Sequence, residues 1–554
     1  SYGNGLTEVT FAPGCKLESI GKNAFVATKL TSFIVPASVT KLGESIFADA
    51  SSSVKSTLKT LYLPVNISAE SYAGVIKGAS ALTDVGFGED GKAAPQEMTI
   101  ENGVVYDKEK STIVFVMPES RSTLTSLEVP ASVTAIKDNA FKGITALTSL
   151  TFASAADGEE EKPLVIGMYA FSGTGITSVT LPKRISEMGS YVFSACKTLK
   201  DVGFEKGFAC PLPDYAFMNC IAIAQVTIPG DIVTLGRTVF SGNKALTTVT
   251  FGLTANGDVS QLKEIGADVF NNCSKLNLLR LEKTVKDAEG NPTYENDKLP
   301  ALTALGESGA YISGPFTKCV ALTKIVIPDE VTKIGKTAFE GCTKLTSVTL
   351  PKNLTLIRES AFMGCTLLAS VKFSDETPDA SVTLEESAFK SCKALTSFDF
   401  TKVGAFAGDE IFRSCVKLTS VNIHEGIAAG ESNYLFDGCT KLKTVVFNPA
   451  SGSVGDYAFQ KCSALTSVTI GENVSAIGSD AFKGLALLTT VDMRSNVLTV
   501  IDYNAFSGCK KLKSIALPAT LTEIKGKAFY NTIALESVDF STVTNPAGLS
   551  VGYD

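Results

Sequence analysis

Tryptophan is absent from the 554-residue chain, and histidine occurs once, at His424. Ser-His-Asp and Cys-His catalysis both need an imidazole base beside the nucleophile, so a single histidine leaves little scope for either. We interpret His424, which follows an apolar strand pattern, as a solvated turn residue. Binding hot spots are enriched in tryptophan, tyrosine and arginine, so a chain without tryptophan is expected to bind a ligand weakly or through loops.

Long apolar runs and a basic surface are also missing. No stretch approaches 18 consecutive apolar residues, which excludes the pattern of a membrane-spanning helix. The first residues, SYGNGLTEV, have neither the basic nor the apolar segment of a signal peptide, so we expect any signal or anchor to lie outside this chain. The formal net charge is −7, and no basic cluster occurs, which argues against nucleic acid as a partner.

The chain instead repeats one phrase many times. Residues 322–342 read LTKIVIPDEVTKIGKTAFEGC, and residues 345–365 read LTSVTLPKNLTLIRESAFMGC. A six-residue pattern, L-x-x-V-x-L, opens each copy and usually recurs after 23 or 24 residues. The one long gap, from Leu276 to Leu322, contains a weak copy at Leu299, which brings the total to 22 repeats. Such a period predicts a stacked array rather than several globular domains.

Each repeat is predicted to form one coil. The V-x-L alternation is typical of a short strand with one buried face. Proline often ends this strand, as at Pro328 and Pro351, because proline cannot donate a hydrogen bond to a sheet. A second apolar phrase, an Ala-Phe pair and a Gly-Cys turn follow. One coil alone cannot bury its phenylalanine, so we expect the coils to stack around a shared aromatic column.

The repeated phrase resembles the BspA-like leucine-rich repeat family, whose pattern I-x-x-x-A-F-x-G-C follows a proline-terminated strand. The resemblance covers nearly the whole chain. It implies a curved leucine-rich repeat solenoid with a parallel β-sheet on one face and short strands, turns or short helices opposite. It also implies surface-exposed or secreted proteins, mostly bacterial, that are linked to adhesion and to binding host proteins.

We predict that residues 1–554 form one continuous solenoid of about 22 coils. Segments that interrupt the period are expected to be surface insertions; they are residues 88–123, 153–164, 252–262, 281–298 and 374–384. Residues 102–118, within the first insertion, resemble the hairpin unit that interrupts arrays in the same family. The insertions are the segments in which one repeat differs most from another. They are therefore better candidates for a specific binding surface than the sheet face.

The cysteines are distributed by the repeat rather than by a metal site. Eleven of the thirteen lie three residues after the phenylalanine of the Ala-Phe pair: Cys196, Cys220, Cys273, Cys319, Cys342, Cys365, Cys392, Cys415, Cys439, Cys462 and Cys509. Neither clustered histidines nor paired C-x-x-C spacing accompanies them, so no metal is predicted. We interpret these cysteines as small buried hydrophobic residues, with disulfides between successive coils as the alternative.

Other catalytic and metal patterns also fail. Asp399, Asp492 and Asp539 share one strand position, but whole coils separate them, which is too far for a glycosidase pair. The segment from 287 to 298 resembles a calcium loop, yet it has Pro292 where the loop needs glycine. We therefore expect no enzyme activity, no cofactor and no metal.

The outward face of the sheet is the predicted binding face. Positions three and five of the six-residue pattern point outward, and threonine is the commonest residue at position five. Eight other residues at that position are candidate binding residues: Tyr62, Glu128, Arg280, Lys372, Asp399, Asn422, Asp492 and Asp539. Outward threonine also has a simpler explanation, its preference for exposed strand positions.

Three classes of function follow. The first is a non-catalytic cell-surface or secreted scaffold for protein interaction and adhesion, which binds host or bacterial surface macromolecules. Its expected partner is a protein or glycoprotein, and the scaffold itself is expected to be a monomer. The second is a glycan-binding module, which Tyr62 and the polar outward face support. The third, an ice-binding surface, is disfavoured because charged residues and glycines interrupt the threonine rows.

Overall fold

The computed structural model describes residues 5–287, 291–296, 298–302, 304–306, 314–540 and 550–551. The chain divides into two compact units, Ser1–Ile223 and Ala224–Asp554. Each unit is a stack of short coils joined by parallel strand pairing. The predicted fold class, a parallel β-solenoid of about 22 coils with little helix, is confirmed. One continuous array across both units remains a prediction.

The first unit contains fifteen strands and one α-helix among its described residues. The helix is α1, Ala69–Ile76. The strands are β1 Ser19–Ile20, β2 Ser32–Ile34, β3 Lys41–Leu42, β4 Thr60–Leu63, β5 Asp84–Phe87, β6 Met98–Glu101, β7 Val104–Asp107, β8 Thr112–Val116, β9 Ser126–Val129, β10 Ala135–Ile136, β11 Ser149–Phe152, β12 Leu164–Ile166, β13 Ser178–Leu181, β14 Ile185–Met188 and β15 Asp201–Phe204.

The regular elements in the described part of the second unit are strands and one 3-10 turn, Phe400–Lys402. The strands are β16 Gln225–Ile228, β17 Thr234–Leu235, β18 Thr248–Phe251, β19 Glu264–Ile265, β20 Leu278–Lys286, β21 Pro292–Asn296, β22 Ala304–Leu305, β23 Lys324–Val326, β24 Lys333–Ile334, β25 Ser347–Thr349, β26 Leu356–Ile357, β27 Ser370–Lys372, β28 Val382–Glu385, β29 Val403–Ala407, β30 Ser420–Ile423, β31 Ala428–Gly430, β32 Thr444–Phe447, β33 Ser451–Gly452, β34 Ser467–Ile470, β35 Ala476–Ile477, β36 Thr490–Met493, β37 Val500–Ile501, β38 Ser514–Ala516, β39 Glu523–Ile524, β40 Ser537–Asp539 and β41 Ser550–Val551.

Most of the described coils contribute two strands, one to each side of the core. The L-x-x-V-x-L pattern forms the first, which we call the hexad strand, and equivalent residues pair from coil to coil, as Ile325 does with Val348. The second apolar phrase forms a shorter return strand, as where Ile334 pairs with Ile357. The side opposite the hexad strands is therefore a second parallel sheet, within the range of structures that the resemblance implied.

The predicted aromatic column fills the space between the two sheets. In the second unit Phe316, Phe339, Phe362 and Phe389 stack with ring centroids 5.4, 5.2 and 5.2 Å apart, and all four rings are fully buried. Aromatic stacking at this distance adds to the stabilisation from burial. The column is therefore the main apolar spine of this unit.

Two insertions form antiparallel hairpins. In 88–123, β7 pairs antiparallel with both β6 and β8, and β8 then joins the parallel return strands through β10. This insertion therefore contains two antiparallel strand pairs. In 281–298, β20 continues beyond the hexad and pairs antiparallel with β21 to form a ribbon.

The repeat at Leu299 is not a coil of its own, contrary to the sequence prediction. Strand β22 is a return strand and lies between β19 and β24, and Phe316 stacks directly between Phe270 and Phe339. The stretch from Leu276 to Phe316 is therefore one coil with a long insertion. The segment LPALTALG resembles a return phrase such as IPDEVTKIG, with one residue fewer after the proline, which explains the misassignment.

All thirteen cysteines are free thiols, as predicted, and the eleven in the column are buried. The structure adds a polar contact that the sequence did not indicate. Sγ of Cys342 donates to the carbonyl oxygen of Phe316, in the preceding coil, at 3.2 Å, and Cys365 donates likewise to Phe339. The thiol therefore satisfies a buried carbonyl group that a hydrocarbon side chain would leave with fewer partners.

Asn243 occupies the cysteine position of its coil and is fully buried. Within the part of the chain that the structure describes, neither its Oδ1 nor its Nδ2 has a hydrogen-bond partner. Thr174, at the same position of another coil, places its hydroxyl 2.9 Å from the carbonyl oxygen of Phe171. A buried amide without partners costs stability, whereas threonine can satisfy its hydroxyl here.

Replacing Asn243 with threonine is accordingly expected to raise the free energy of unfolding by about 1–2 kcal/mol. Urea denaturation followed by circular dichroism measures the change. Asn243→Asp is the matched comparison, because it keeps the shape and buries a charge, and it should destabilise the protein. A threonine variant less stable than the parent would show that the amide is satisfied after all.

Candidate functional site

An open groove of about 1040 Å³ lies in the second unit, at the carboxyl ends of the hexad strands β20, β23, β25 and β27. Three of the predicted insertions meet there. Val259 and Ser260 come from 252–262, Lys298 from 281–298, and Ser374 and Asp375 from 374–384. These segments are far apart in sequence, and the stacking of their coils brings them to one groove.

The ribbon β20–β21 lies at one side of the groove, whose lining includes Leu281 of β20 and Lys298, just beyond β21. One edge of β20 pairs with β18 and the other with β21, so β21 takes the edge that would otherwise face the next hexad strand, β23. The ladder of hexad strands stops at β21 and resumes at β23, with one isolated parallel bridge between Lys298 and Val326, while the return strands β19, β22 and β24 continue without a break. The insertion therefore opens the solenoid on one side only.

Side-chain contacts hold the ribbon to the coil. The guanidinium of Arg280 lies 3.9 Å above the ring of Tyr294, and its Nε donates to Oγ1 of Thr250 at 2.8 Å. Glu295 forms ion pairs with Lys298 at 2.6 Å and with Lys283 at 3.7 Å. The hydrogen bond from Lys298 is the main reason that the pKa of Glu295 is lowered. Arg280 thus anchors the ribbon, and Thr250 beneath it is buried although its position predicted an outward side chain.

The opposite wall is the insertion 374–384, which is tied to its neighbouring coils. Thr377 is buried, and Nζ of Lys402 donates to its carbonyl oxygen at 2.8 Å. Lys402 also pairs with Asp379 at 2.7 Å, and Lys352 pairs with Glu376 at 3.2 Å. The wall is fixed by contacts on both sides.

The groove combines an apolar floor with charged margins. Val326 is 38% exposed and Val259 is 55% exposed. Four carboxylates and two ammonium groups also line it: Asp329, Glu330, Asp375, Asp399, Lys298 and Lys372. The surface can thus contact apolar and charged groups of the same ligand.

Seven of the eight predicted face residues occupy the fifth position of hexad strands. They are Tyr62 in β4, Glu128 in β9, Arg280 in β20, Lys372 in β27, Asn422 in β30, Asp492 in β36 and Asp539 in β40. Glu128, Lys372, Asn422 and Asp539 are exposed, and the other three are partly buried. Asp399 differs, because its coil has no hexad strand and its Oδ1 caps the 3-10 turn through the backbone N–H of Thr401, at 3.0 Å.

The structure gathers only two of these eight residues, Lys372 and Asp399, into the groove. Arg280 supports the ribbon beside it, and Asp492 forms an ion pair with Arg494 at 2.6 Å. A binding role for the eight residues remains a prediction. The sequence prediction missed Val326, Asp329 and Glu330, although an apolar residue at the outward fifth position was a visible signal at Val326.

His424 is a turn residue, as expected, but it is partly buried rather than freely solvated. Its Nε2 lies 3.0 Å from the carbonyl oxygen of Phe400, and its Nδ1 accepts the backbone N–H of Gly426 at 2.9 Å. Both ring nitrogens are thus engaged with the backbone, and the imidazole stabilises the turn.

The described residues contain no group of three histidine, cysteine, aspartate or glutamate side chains arranged to hold a metal ion. The described helices also include none with the length and apolarity needed to cross a membrane.

The stacked hexad strands and the phenylalanine column define a leucine-rich repeat solenoid. A family model described as BspA type leucine rich repeat region (6 copies) matches residues 1–71, 119–162, 164–300, 313–431 and 431–547. The chain therefore belongs to the family of BspA-type leucine-rich repeat proteins. A search of curated proteins gave no match.

Solved structures that are similar to the chain include bacterial leucine-rich repeat proteins. A leucine-rich repeat protein from Bacteroides ovatus is 19% identical, with a TM-score of 0.41, over 83% of this chain and 90% of that one. A leucine-rich cell surface protein from Faecalibacterium prausnitzii is 20% identical, with a TM-score of 0.28, over 82% and 90%. The pneumococcal vaccine antigen PcpA is 15% identical, with a TM-score of 0.33, over 82% and 98%.

Proposed function

We propose that the protein is a non-catalytic interaction scaffold that binds a protein or glycoprotein partner through the groove of the second unit. The observation that carries this proposal is the meeting of three insertions at that groove. Segments that break an otherwise regular array are where a repeat protein acquires specificity. Membership of the BspA-type family supports a cell-surface or secreted location and a role in adhesion to host or bacterial surface macromolecules.

The shape of the groove supports a macromolecular ligand. At about 1040 Å³ it lies at the upper end of the range of small-molecule pockets, which is roughly 300–1,000 Å³, and unlike them it is open to solvent. It runs across several coils rather than into the core. A segment of another protein fits such a surface better than a metabolite that must be enclosed. We propose that the chain acts as a monomer in this role.

Deleting residues 284–297, which removes most of the ribbon, is expected to leave folding intact and to weaken partner binding about tenfold, or roughly 1.4 kcal/mol. The return strands continue past the ribbon, so the coil remains closed. Binding to immobilised extracellular-matrix proteins, mucin and bacterial surface fractions measures the effect, with a circular-dichroism melt to check the fold. Deleting the exposed turn 156–160 of the first unit is the matched control.

A point variant tests the groove without shortening the chain. Val326→Arg places a long side chain in the groove at a fifth position, where other coils already carry Arg280 and Lys372. Thr469→Arg puts the same side chain at the same position of a distant coil. Loss of partner binding in the first variant alone supports the proposal. Full binding by both the ribbon deletion and Val326→Arg would overturn it.

The glycan-binding alternative has weaker support at Tyr62, its main aromatic candidate. A β-carbon at Gly91 would lie only 2.5 Å from the ring of Tyr62, so the backbone there covers part of that ring. Sugar recognition on aromatic side chains needs an open ring face. Hits on a glycan array that survive Val326→Arg would favour a glycan site elsewhere.

A further inference from the structure

We propose that the groove recognises an extended peptide segment in which lysine or arginine residues alternate with apolar residues. This inference rests on the proposed function, because it specifies the partner chemistry of the same groove. It is drawn from the charges, the apolar floor and the length of the groove.

The charge of the groove favours a cationic partner. Lys298 is already bound to Glu295 at 2.6 Å, which leaves Lys372 as the remaining ammonium group in the lining. Against it stand the carboxylates of Asp329, Glu330, Asp375 and Asp399. A surface with such an excess of one sign attracts the opposite charge and repels like charge.

The lysines just outside the groove do not cancel this excess, because other carboxylates already bind them. Lys352 is paired with Glu376, and Lys402 with Asp379. The hydrogen bond that Lys352 donates to Glu376 is the main reason that the pKa of Lys352 is raised, with further contributions from Asp329 and Glu330. The pKa of Lys402 is raised chiefly by Asp379, and also by Asp399 and Asp375. Both ammonium groups therefore experience the negative field of the groove carboxylates.

The floor and the length of the groove define the rest of the ligand. Val326 and Val259 offer exposed apolar surface, and the ring of Phe373 is partly exposed beside Lys372. The groove crosses the ends of β20, β23, β25 and β27, which at about 4.8 Å for each neighbouring strand is roughly 15–20 Å. An extended chain covers that distance with about five or six residues and points alternate side chains in opposite directions. Apolar side chains can thus face the floor while basic ones reach the carboxylates.

Synthetic seven-residue peptides test this inference on the full chain. One alternates lysine with valine, a second has glutamate in place of lysine, and a third has serine in place of valine. Fluorescence anisotropy of labelled peptides at about 50 mM salt should show the Lys-Val peptide binding at least roughly tenfold more tightly than the other two. Its affinity should fall at about 500 mM salt, because exposed charges are then screened.

Two fourfold variants with the same change in net charge separate the groove from general acidity. The first carries Asp329→Asn, Glu330→Gln, Asp375→Asn and Asp399→Asn. The second carries Asp157→Asn, Glu159→Gln, Glu160→Gln and Glu161→Gln in the first unit. The groove variant should weaken binding of the Lys-Val peptide about tenfold or more, and the second should leave it unchanged.

Equal affinity for the three peptides, or equal loss in the two variants, would overturn the inference. The proposed function is judged separately by the ribbon deletion and Val326→Arg. If those variants lose the macromolecular partner while the Lys-Val peptide neither binds nor competes, the groove is an interaction site for a different chemistry. If the peptide binds at the groove but the variants retain their partners, the proposed function fails and the peptide preference stands.

Discussion

Phe362→Ala is expected to lower the free energy of unfolding by about 3–5 kcal/mol. Phe362 is fully buried and stacks between Phe339 and Phe389, with ring centroids 5.2 Å away on each side. Alanine would leave a cavity that both neighbouring rings face, and the strands on either side cannot close it. Urea denaturation monitored by circular dichroism and by tyrosine fluorescence, which no tryptophan obscures, measures the loss.

Phe25→Ala provides the control for this prediction. Phe25 belongs to the same aromatic position, but it is only partly buried and lies in the first coil of its unit. Phe25 also contacts two rings, Phe33 and Phe47, but it buries less apolar surface than Phe362, so the expected cost is below about 2 kcal/mol. A loss of less than about 1 kcal/mol in Phe362→Ala would refute the column as the apolar spine.

The second large effect is a loss of stability at alkaline pH. Burial raises the pKa of the Cys273, Cys342 and Cys415 thiols to about 12. In the unfolded chain a cysteine titrates near 8.5. Above that pH the unfolded state binds fewer protons than the folded state, so the free energy of unfolding falls as pH rises. Each such thiol contributes about 1.4 kcal/mol per pH unit until the folded pKa is reached.

Most other cysteines of the buried column should add to this loss of stability at alkaline pH. Burial also raises the thiol pKa at Cys220, Cys319, Cys365, Cys392, Cys439, Cys462 and Cys509. Cys196 is the exception, because a hydrogen bond from Cys220 lowers its pKa. Because these contributions act in the same direction, the free energy of unfolding is expected to fall above pH 8.5 by several times the contribution of one thiol. The protein should therefore be much less stable at pH 10 than at pH 7.

Denaturation midpoints between pH 7 and pH 10.5, under reducing conditions, measure this dependence. Cys415→Ala is the matched variant, because alanine occupies the same position at Ala50. It should be less stable at neutral pH and should lose stability less steeply above pH 9, by the contribution of one thiol. A flat stability profile from pH 8 to pH 10 would contradict the prediction.

The repeating parts of this fold were predictable because they depend on contacts between equivalent residues. Phe339 and Phe362 stack in the structure because each repeat places one ring at the same point of its coil. The same reasoning identified the buried cysteine column. It did not reveal that Cys365 donates to the carbonyl oxygen of Phe339, since that contact depends on the offset between adjacent coils.

The candidate site was predictable only in pieces. The insertions and the outward positions of Lys372 and Asp399 could be read from the repeat, because every departure from a fixed period is visible in the sequence. The meeting of these segments in one groove could not be predicted from the sequence. It depends on the ribbon taking the edge of β20 and on the direction in which each insertion leaves its coil.

The sequence by itself determined the coil, its hexad strand and its buried columns, because period and burial pattern are local properties that each repeat carries. Tertiary structure alone decided that the long gap after Leu276 is one coil with a ribbon, and that distant insertions share a groove. The physical reason is that strand edges and insertion directions are settled between coils. No single repeat contains that information.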